Sequence, residues 1–197
     1  MECKYKTKKY GKSAKRILIS YGDIRFKESL TRLRRQAKSS GIFDKVITYT
    51  SEDLPPYVLA SPLFAYTKGG GYWVWKPYII RETLANCDEG DIVFYLDAGC
   101  TINARSVEWE KWTREIERYN AIFFQYREDV EYAGWESICK SSANNSVAIR
   151  HWMKPSVQQY FQEFLGNDSF LMYGKIWAGF CIFKKTKKLL DDGISNN

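Results

Sequence analysis

Short apolar runs alternate with amphipathic stretches along this chain. Residues 16–21, Arg-Ile-Leu-Ile-Ser-Tyr, are continuous and apolar and predict a buried first strand. Phe26, Leu30, Leu33 and Ala37 then recur at helical spacing, and Gly41 follows as a stop. Residues 45–50 are β-branched and alternating, a second strand. This β-α-β opening implies a parallel pair joined by a right-handed crossover. The stretch 51–68 holds Pro55, Pro56 and Pro62 and predicts a structured loop with at most a short helix. Pro77 suits the first turn of a helix running to about Asn86. Residues 91–96 form the clearest strand, after a turn at Asp88-Glu89-Gly90. Ser106 is placed to cap a helix to about Tyr119, with Val107, Trp109, Trp112 and Ile116 as its apolar positions. Residues 121–125 read as a strand, 126–150 as irregular, 155–165 as a helix, 176–183 as a last strand and 184–190 as a short helix. No repeat or linker is visible. The alternation predicts a three-layer α/β domain over 16–197.

Composition narrows the class. At 197 residues and 45% hydrophobic, the chain is long and apolar enough for one domain with a full core. Aromatic residues make up 16%, with 7 Trp and 14 Tyr. Most belong in a core, and the excess favours a partner with flat, hydroxylated faces. The net charge is +7, but residues 1–16 hold seven basic side chains and Glu2. That segment is +6 of the total of +7, so the rest sums to about +1. The body is nearly neutral, and no nucleic-acid partner is expected. The basic tail, 1–15, reads as a solvated segment, or as a peripheral contact to an anionic membrane surface. Five scattered cysteines with no CxxC spacing and one histidine, His151, make a zinc site unexpected. The charged start, the absence of a long apolar run and the unpatterned cysteines predict a reducing, cytoplasmic location.

The chemistry concentrates at two places. Residues 68–81 run Lys-Gly-Gly-Gly-Tyr-Trp-Val-Trp-Lys-Pro-Tyr-Ile-Ile-Arg, a glycine-rich turn feeding a helix. It is not a P-loop, since no Gly-Lys-Ser/Thr follows, but it permits close backbone approach. The strand at 91–96 ends on Asp97, with Ala98 and Gly99 after it. An acidic group at the exit of a buried strand is where an open α/β sheet meets a ligand. The structural alternative is that Asp97 caps the next turn. Lys76 lies near a helix N-terminus, where a cation is unfavourable. A bound diphosphate accounts for that placement, because helix N–H groups and an ammonium both favour anions.

Tyr95-Leu96-Asp97-Ala98-Gly99 behind the helix start Trp73-Val74-Trp75-Lys76-Pro77 resembles the GT-A class of nucleotide-sugar-dependent glycosyltransferases. It is most similar to members from bacterial polysaccharide clusters and some large DNA viruses, for which the location is the host cytoplasm. The resemblance implies a GT-A fold, Rossmann-like with a mixed, mostly parallel central sheet, and transfer of a sugar from a nucleotide donor, a UDP-sugar, to a hydroxyl of a glycan or glycoconjugate. It implies that Asp97 matches the first position of an Asp-x-Asp motif, facing ribose or cation. Gly99 replaces the second Asp, which weakens the implied Mn²⁺ or Mg²⁺. It also implies that Ser20, Tyr21 and Arg25, at the exit of the first strand, meet base, ribose or phosphate. Trp75 and Lys76 join this nucleotide-sugar set with Asp97, Ala98 and Gly99. Trp177, Ala178 and Gly179, a small-residue strand, face the transferred sugar and acceptor. An inverting transferase needs a carboxylate as general base. Asp129, Glu131, Glu136 and Asp168 all offer one and the sequence singles out none; Glu136, beside Gly134 and Trp135, is the candidate taken with Asp97. Members of the class commonly continue past the last strand, so 16–197 reads as a compact version or as one domain of a longer protein.

Two other functions fit parts of the chain. A sugar nucleotidyltransferase shares the sheet, but wants a Gly-rich, basic loop after the first strand, where residues 20–25 are short and poor in glycine. A non-catalytic module binding carbohydrate or nucleic acid suits the aromatic excess and basic start, but gives Asp97 no task.

Overall fold

The structure, a computed structural model, describes residues 14–103, 106–126, 148–187 and 189. Its spine is a five-stranded open sheet of order β2-β1-β3-β5-β4. The strands are β1 (Arg16–Tyr21), β2 (Lys45–Tyr49), β3 (Ile92–Leu96), β4 (Ala121–Gln125) and β5 (Ile176–Lys184). β1 pairs in parallel with β2 and with β3, Ile19 facing Ile47 on one side and Tyr95 on the other. β5 runs the opposite way, because Lys185 at its end exchanges backbone bonds with Gly90 and Asp91 at the start of β3. β4 is antiparallel to β5, with Lys184 N–H bonded to Asn120 and Tyr126 N–H to Lys175. The fold is therefore α/β, as the hydrophobic pattern predicts, and the sheet is mixed with a parallel centre.

The chain divides into two compact units, one of Met1–Ile122 with Cys181–Asn197 and one of Phe123–Phe180. In the first, strand alternation sends Ile17, Ile19 and Tyr21 of β1 and Val93 and Tyr95 of β3 to one face. There they pack with Trp75, Ile79 and Leu84 of α4 (Trp75–Ala85). On the other face Phe94 meets Phe43 edge-on and Trp109 at a tilt, at centroid distances of 5.4 and 5.8 Å. Trp109 belongs to α5 (Ser106–Glu115). Between β1 and β2 runs α1 (Lys27–Ser40), its stripe Leu30, Leu33 and Ala37 buried and Gly41 closing it in the left-handed conformation. Gly41 has φ 66°, where only glycine is at ease. Val107, expected in the apolar stripe of α5, is 73% exposed, because it lies one residue inside the helix start and off the Trp109–Ile116 face.

The loop 51–68 is built of short turns, among them α2 (Pro56–Leu59), whose first position is a proline. The segment after it, α3 (Gly69–Tyr72), is a left-handed turn that no hydrophobic pattern announces. In the second unit, α6 (Pro155–Leu165) matches the predicted helix and ends at Gly166. β5 continues to Lys184, one residue into the stretch expected to be helical.

Candidate functional site

The carboxyl ends of β1 and β3 lie side by side where the sheet order reverses. From β1 the chain goes out to β2 on one flank, then returns to β3 on the other. The loops leaving such a pair diverge and open a crevice, the usual ligand site of an open α/β sheet. A pocket of about 460 Å³ occupies this place, lined by residues of the first unit. One wall is the loop after β1, with Tyr21, Asp23 and Arg25. A second is the glycine turn, with Thr67, Lys68, Gly69, Gly70 and the rings of Trp73 and Trp75. The third is Asp97, Ala98 and Gly99.

Two carboxylates flank β3 and do different work. Asp91, before it, is 4% exposed and accepts the backbone N–H groups of Lys15 at 2.8 Å and Asp88 at 3.1 Å. It pins the start of the strand. Asp97, after it, keeps 41% of its side-chain surface exposed. Among the described residues its side chain accepts no backbone N–H. Turn formation is left to the main chain, where Cys100 N–H donates to the Asp97 carbonyl at 2.9 Å. Asp97 Oδ1 accepts instead from the Tyr95 hydroxyl and, at 3.1 Å, from the Lys76 ammonium. Tyr95 lies two residues earlier on the same strand face and is fully buried. Burial, with the charge of Asp97 next, holds its phenol far above the ordinary value, so it remains a donor. Lys76 is 14% exposed, with its ammonium 4.6 Å from the Tyr95 ring centroid and 5.7 Å from that of Trp75. A cation in the first turn of α4 opposes the helix dipole. Its ion pair with Asp97 offsets that cost.

The loop after β3 is held from behind by α1. Arg32 Nη2 donates to the carbonyls of Ala98, Gly99 and Cys100 at 3.3, 3.3 and 3.2 Å. One turn on, Gln36 Oε1 accepts the Ile102 N–H at 3.3 Å. Sequence reading missed both residues. Their only signal is polar character at i and i+4 beside the Leu33 stripe, which any solvated helix face also shows. Burial pushes the thiols of Cys100 and Cys181 up to about 11, so neither is a thiolate at neutral pH.

The glycine turn explains the composition of residues 69–73. All five have positive φ: 60° at Gly69, 57° at Gly70, 94° at Gly71, 49° at Tyr72 and 59° at Trp73. Tyr72 N–H bonds Lys68 at 2.8 Å and Trp73 N–H bonds Gly69 at 3.2 Å, a left-handed helical turn. Such a turn costs roughly 1–2 kcal/mol per L-residue, which three glycines avoid and Tyr72 and Trp73 bear. A Cβ at Gly70 would stand 3.2 Å from Asp23 Oδ2, so the turn presses against the β1 loop. Arg25 ties the same two segments, with Nε 3.1 Å from Asp23 Oδ2 and Nη2 2.7 Å from the Thr67 carbonyl. Asp23 caps the turn Ile24–Phe26 by accepting the Arg25 N–H at 2.9 Å. Its hydrogen bond with Arg25 holds its carboxyl below the ordinary value. Residues 21–25 thus form both a capped turn and a wall of the pocket.

The turn also sorts the two tryptophans. Trp75 is 4% exposed, donates Nε1–H to the Gly69 carbonyl at 3.0 Å and stacks on Tyr21. Trp73 is 42% exposed and is the accessible indole of the pocket. Sequence reading singled out Trp75 for the nucleotide. Trp75 lines the pocket from a buried position, and the left-handed turn adds Trp73 as its accessible ring. Ser20, also expected in the site, is fully buried and takes no part in the lining, and among the described residues its Oγ has no partner. It alternates with Tyr21 and faces away. Trp177, Ala178 and Gly179 lie on β5 in the second unit, the first two exposed and Gly179 buried. The group that approaches Gly179 is Trp177 itself: a Cβ there would meet its Nε1 at 2.5 Å. Glu136 lies outside the described residues.

A protein-held Mg²⁺ or Mn²⁺ needs several hard oxygen donors in near-octahedral array. The pocket offers one carboxylate at the expected place, already bonded through Oδ1 to an ammonium, and Gly99 adds no donor. Among the described residues no three His, Cys, Asp or Glu side chains come together. This donor set does not fit a tightly held divalent cation. Comparison with protein-family models, curated proteins and solved structures found no match.

Proposed function

We propose that this chain is a GT-A-type glycosyltransferase, moving a sugar from a nucleoside-diphosphate donor, a UDP-sugar, to a hydroxyl of a glycan or glycoconjugate. One observation carries the reading. The carboxylate that ends the central strand lines a nucleotide-sized pocket at the switch point between β1 and β3. Pockets of roughly 300–1,000 Å³ bury most of a small ligand, and this one is of that size. Its chemistry suits a base joined to an anion. Trp73 offers an accessible aromatic face, and Arg25 and Lys68 supply positive charge. Arg32 holds the 98–100 loop so that the donor meets a fixed backbone. Asp97 and Lys76 form the polar floor beside the departing diphosphate, where fixed charge stabilises the leaving group.

The test is release of UDP from a panel of UDP-sugars. Asp97→Ala is expected to abolish turnover while circular dichroism stays native. Normal turnover in that variant rejects the role of Asp97.

A further inference from the structure

The ion pair at the pocket floor says how an anionic ligand is balanced, and this inference rests on the donor reading above. We propose that the pocket binds its nucleoside diphosphate on protein cations, with the Lys76 ammonium in the role of a divalent metal. Three observations lead there. First, Asp97 already has a counter-ion. Lys76 Nζ lies 3.1 Å from Asp97 Oδ1, and the Tyr95 hydroxyl bonds the same oxygen. A metal ion at this carboxylate must displace the ammonium or sit beside it, and like charges at such separations repel strongly in a partly desolvated site.

Second, the ammonium is built in. It is 14% exposed, packed over the Tyr95 ring at 4.6 Å and near Trp75 at 5.7 Å. Both rings are core residues, 0% and 4% exposed, so the stem of Lys76 has little freedom to leave. A lysine whose only task was solvation would extend into water, since burial of its head costs free energy unless it is paired.

Third, counted with Lys76 behind Asp97, the described cations at the site outnumber its carboxylates by one. Its lining contains Asp23 and Asp97 against Arg25 and Lys68, and Lys76 adds a third cation through Asp97. Asp23 is already bonded to Arg25. Among the described residues the balance is one positive charge without a metal, the sign that a phosphate anion calls for. In this scheme Asp97 positions the ammonium. The glycine at position 99, which removes a metal donor, follows from the same arrangement.

The experiment is calorimetric titration of UDP into the full chain, once with excess EDTA and once with excess MnCl₂, for the wild type and Lys76→Met. The wild-type Kd is expected to agree within about two-fold between the two conditions, and Lys76→Met to weaken binding about ten-fold or more in EDTA, the size of a lost charged hydrogen bond. Thermal melts establish that the variant is folded. Wild-type binding that requires Mn²⁺, or a Lys76→Met protein that binds as the wild type does, overturns the proposal while leaving the donor reading standing. Absence of UDP binding in both conditions overturns the donor reading as well.

Discussion

Tyr21 and Trp75 stack with ring centroids 4.0 Å apart and planes 20° from parallel. The last residue of β1 and the first of α4 thereby occupy each other's faces. Trp73 is left as the exposed ring of the same pocket, the one on which the base of the proposed donor would stack. Base–aromatic stacking is worth roughly 1–3 kcal/mol. Trp73→Ala is expected to weaken UDP binding by about ten-fold with an unchanged melting temperature. Trp75→Ala removes a buried ring and is expected to cost about 3–5 kcal/mol of stability. Titration and melting of the two variants separate the roles; equal effects on binding and stability in both contradict them.

Gly70 tests the left-handed turn. At φ 57° an L-residue is strained, and its Cβ would meet Asp23 Oδ2 at 3.2 Å and Trp75 Nε1 at 3.6 Å. Gly70→Ala is expected to destabilise the fold by about 1–2 kcal/mol. Chemical denaturation reads this directly. Gly90→Ala is the control: its φ is 89° and nothing lies within 4 Å of the added atom, so only backbone strain is imposed. A Gly70 variant that costs no more than the Gly90 variant shows that the contact with Asp23 is slack.

Arg32 holds three consecutive carbonyls of the loop that follows Asp97. Hydrogen bonds from a charged donor contribute roughly 1.5–3 kcal/mol each at most, and three long ones share one nitrogen. Arg32→Met is expected to cost about 1–2 kcal/mol of stability, and to speed hydrogen exchange of the amides at 98–102. Exchange monitored by mass spectrometry checks it. Unchanged protection of that peptide means the loop is held by other contacts.

Asp23 gives the pH dependence. Its folded-state pKa is lowered, chiefly by the hydrogen bond from Arg25. A carboxylate of that kind contributes stability that is fully present above the unfolded value, about 3.9, and is lost as pH falls through the lower folded value. Asp23→Asn, which removes the charge and keeps a cap acceptor, is expected to lower stability by about 1 kcal/mol at neutral pH. The gap to the wild type closes as pH falls through the lowered folded value of Asp23. Urea denaturation at pH 7 and in acid measures this; a gap that is the same at both contradicts the Arg25 pairing.

The strands were legible because each is a short apolar run bounded by turn residues. Residues 16–21, 121–125 and 155–165 fall on their elements to the residue. Asp97 was legible for the same reason, as the first polar residue after a fully buried strand. The turn at 69–73 was not, since three glycines state freedom but not handedness. That one unreadable feature decided which tryptophan is buried. Arg32 and Gln36 were hidden because their partners are main-chain carbonyl and amide groups some 66 residues away, and backbone partners leave no mark in side-chain pattern. Ser20 was misplaced by a single step of strand alternation. The partners of Lys76 follow from the register of α4 against β3, which sequence periodicity does not define.

The most direct measurement is a crystal structure of the full chain soaked with UDP. The account predicts the uracil against Trp73 and the diphosphate between Lys68 and the Asp97–Gly99 loop, with Lys76 still bonded to Asp97. UDP seated elsewhere on the molecule, or an open pocket at saturating UDP, contradicts it.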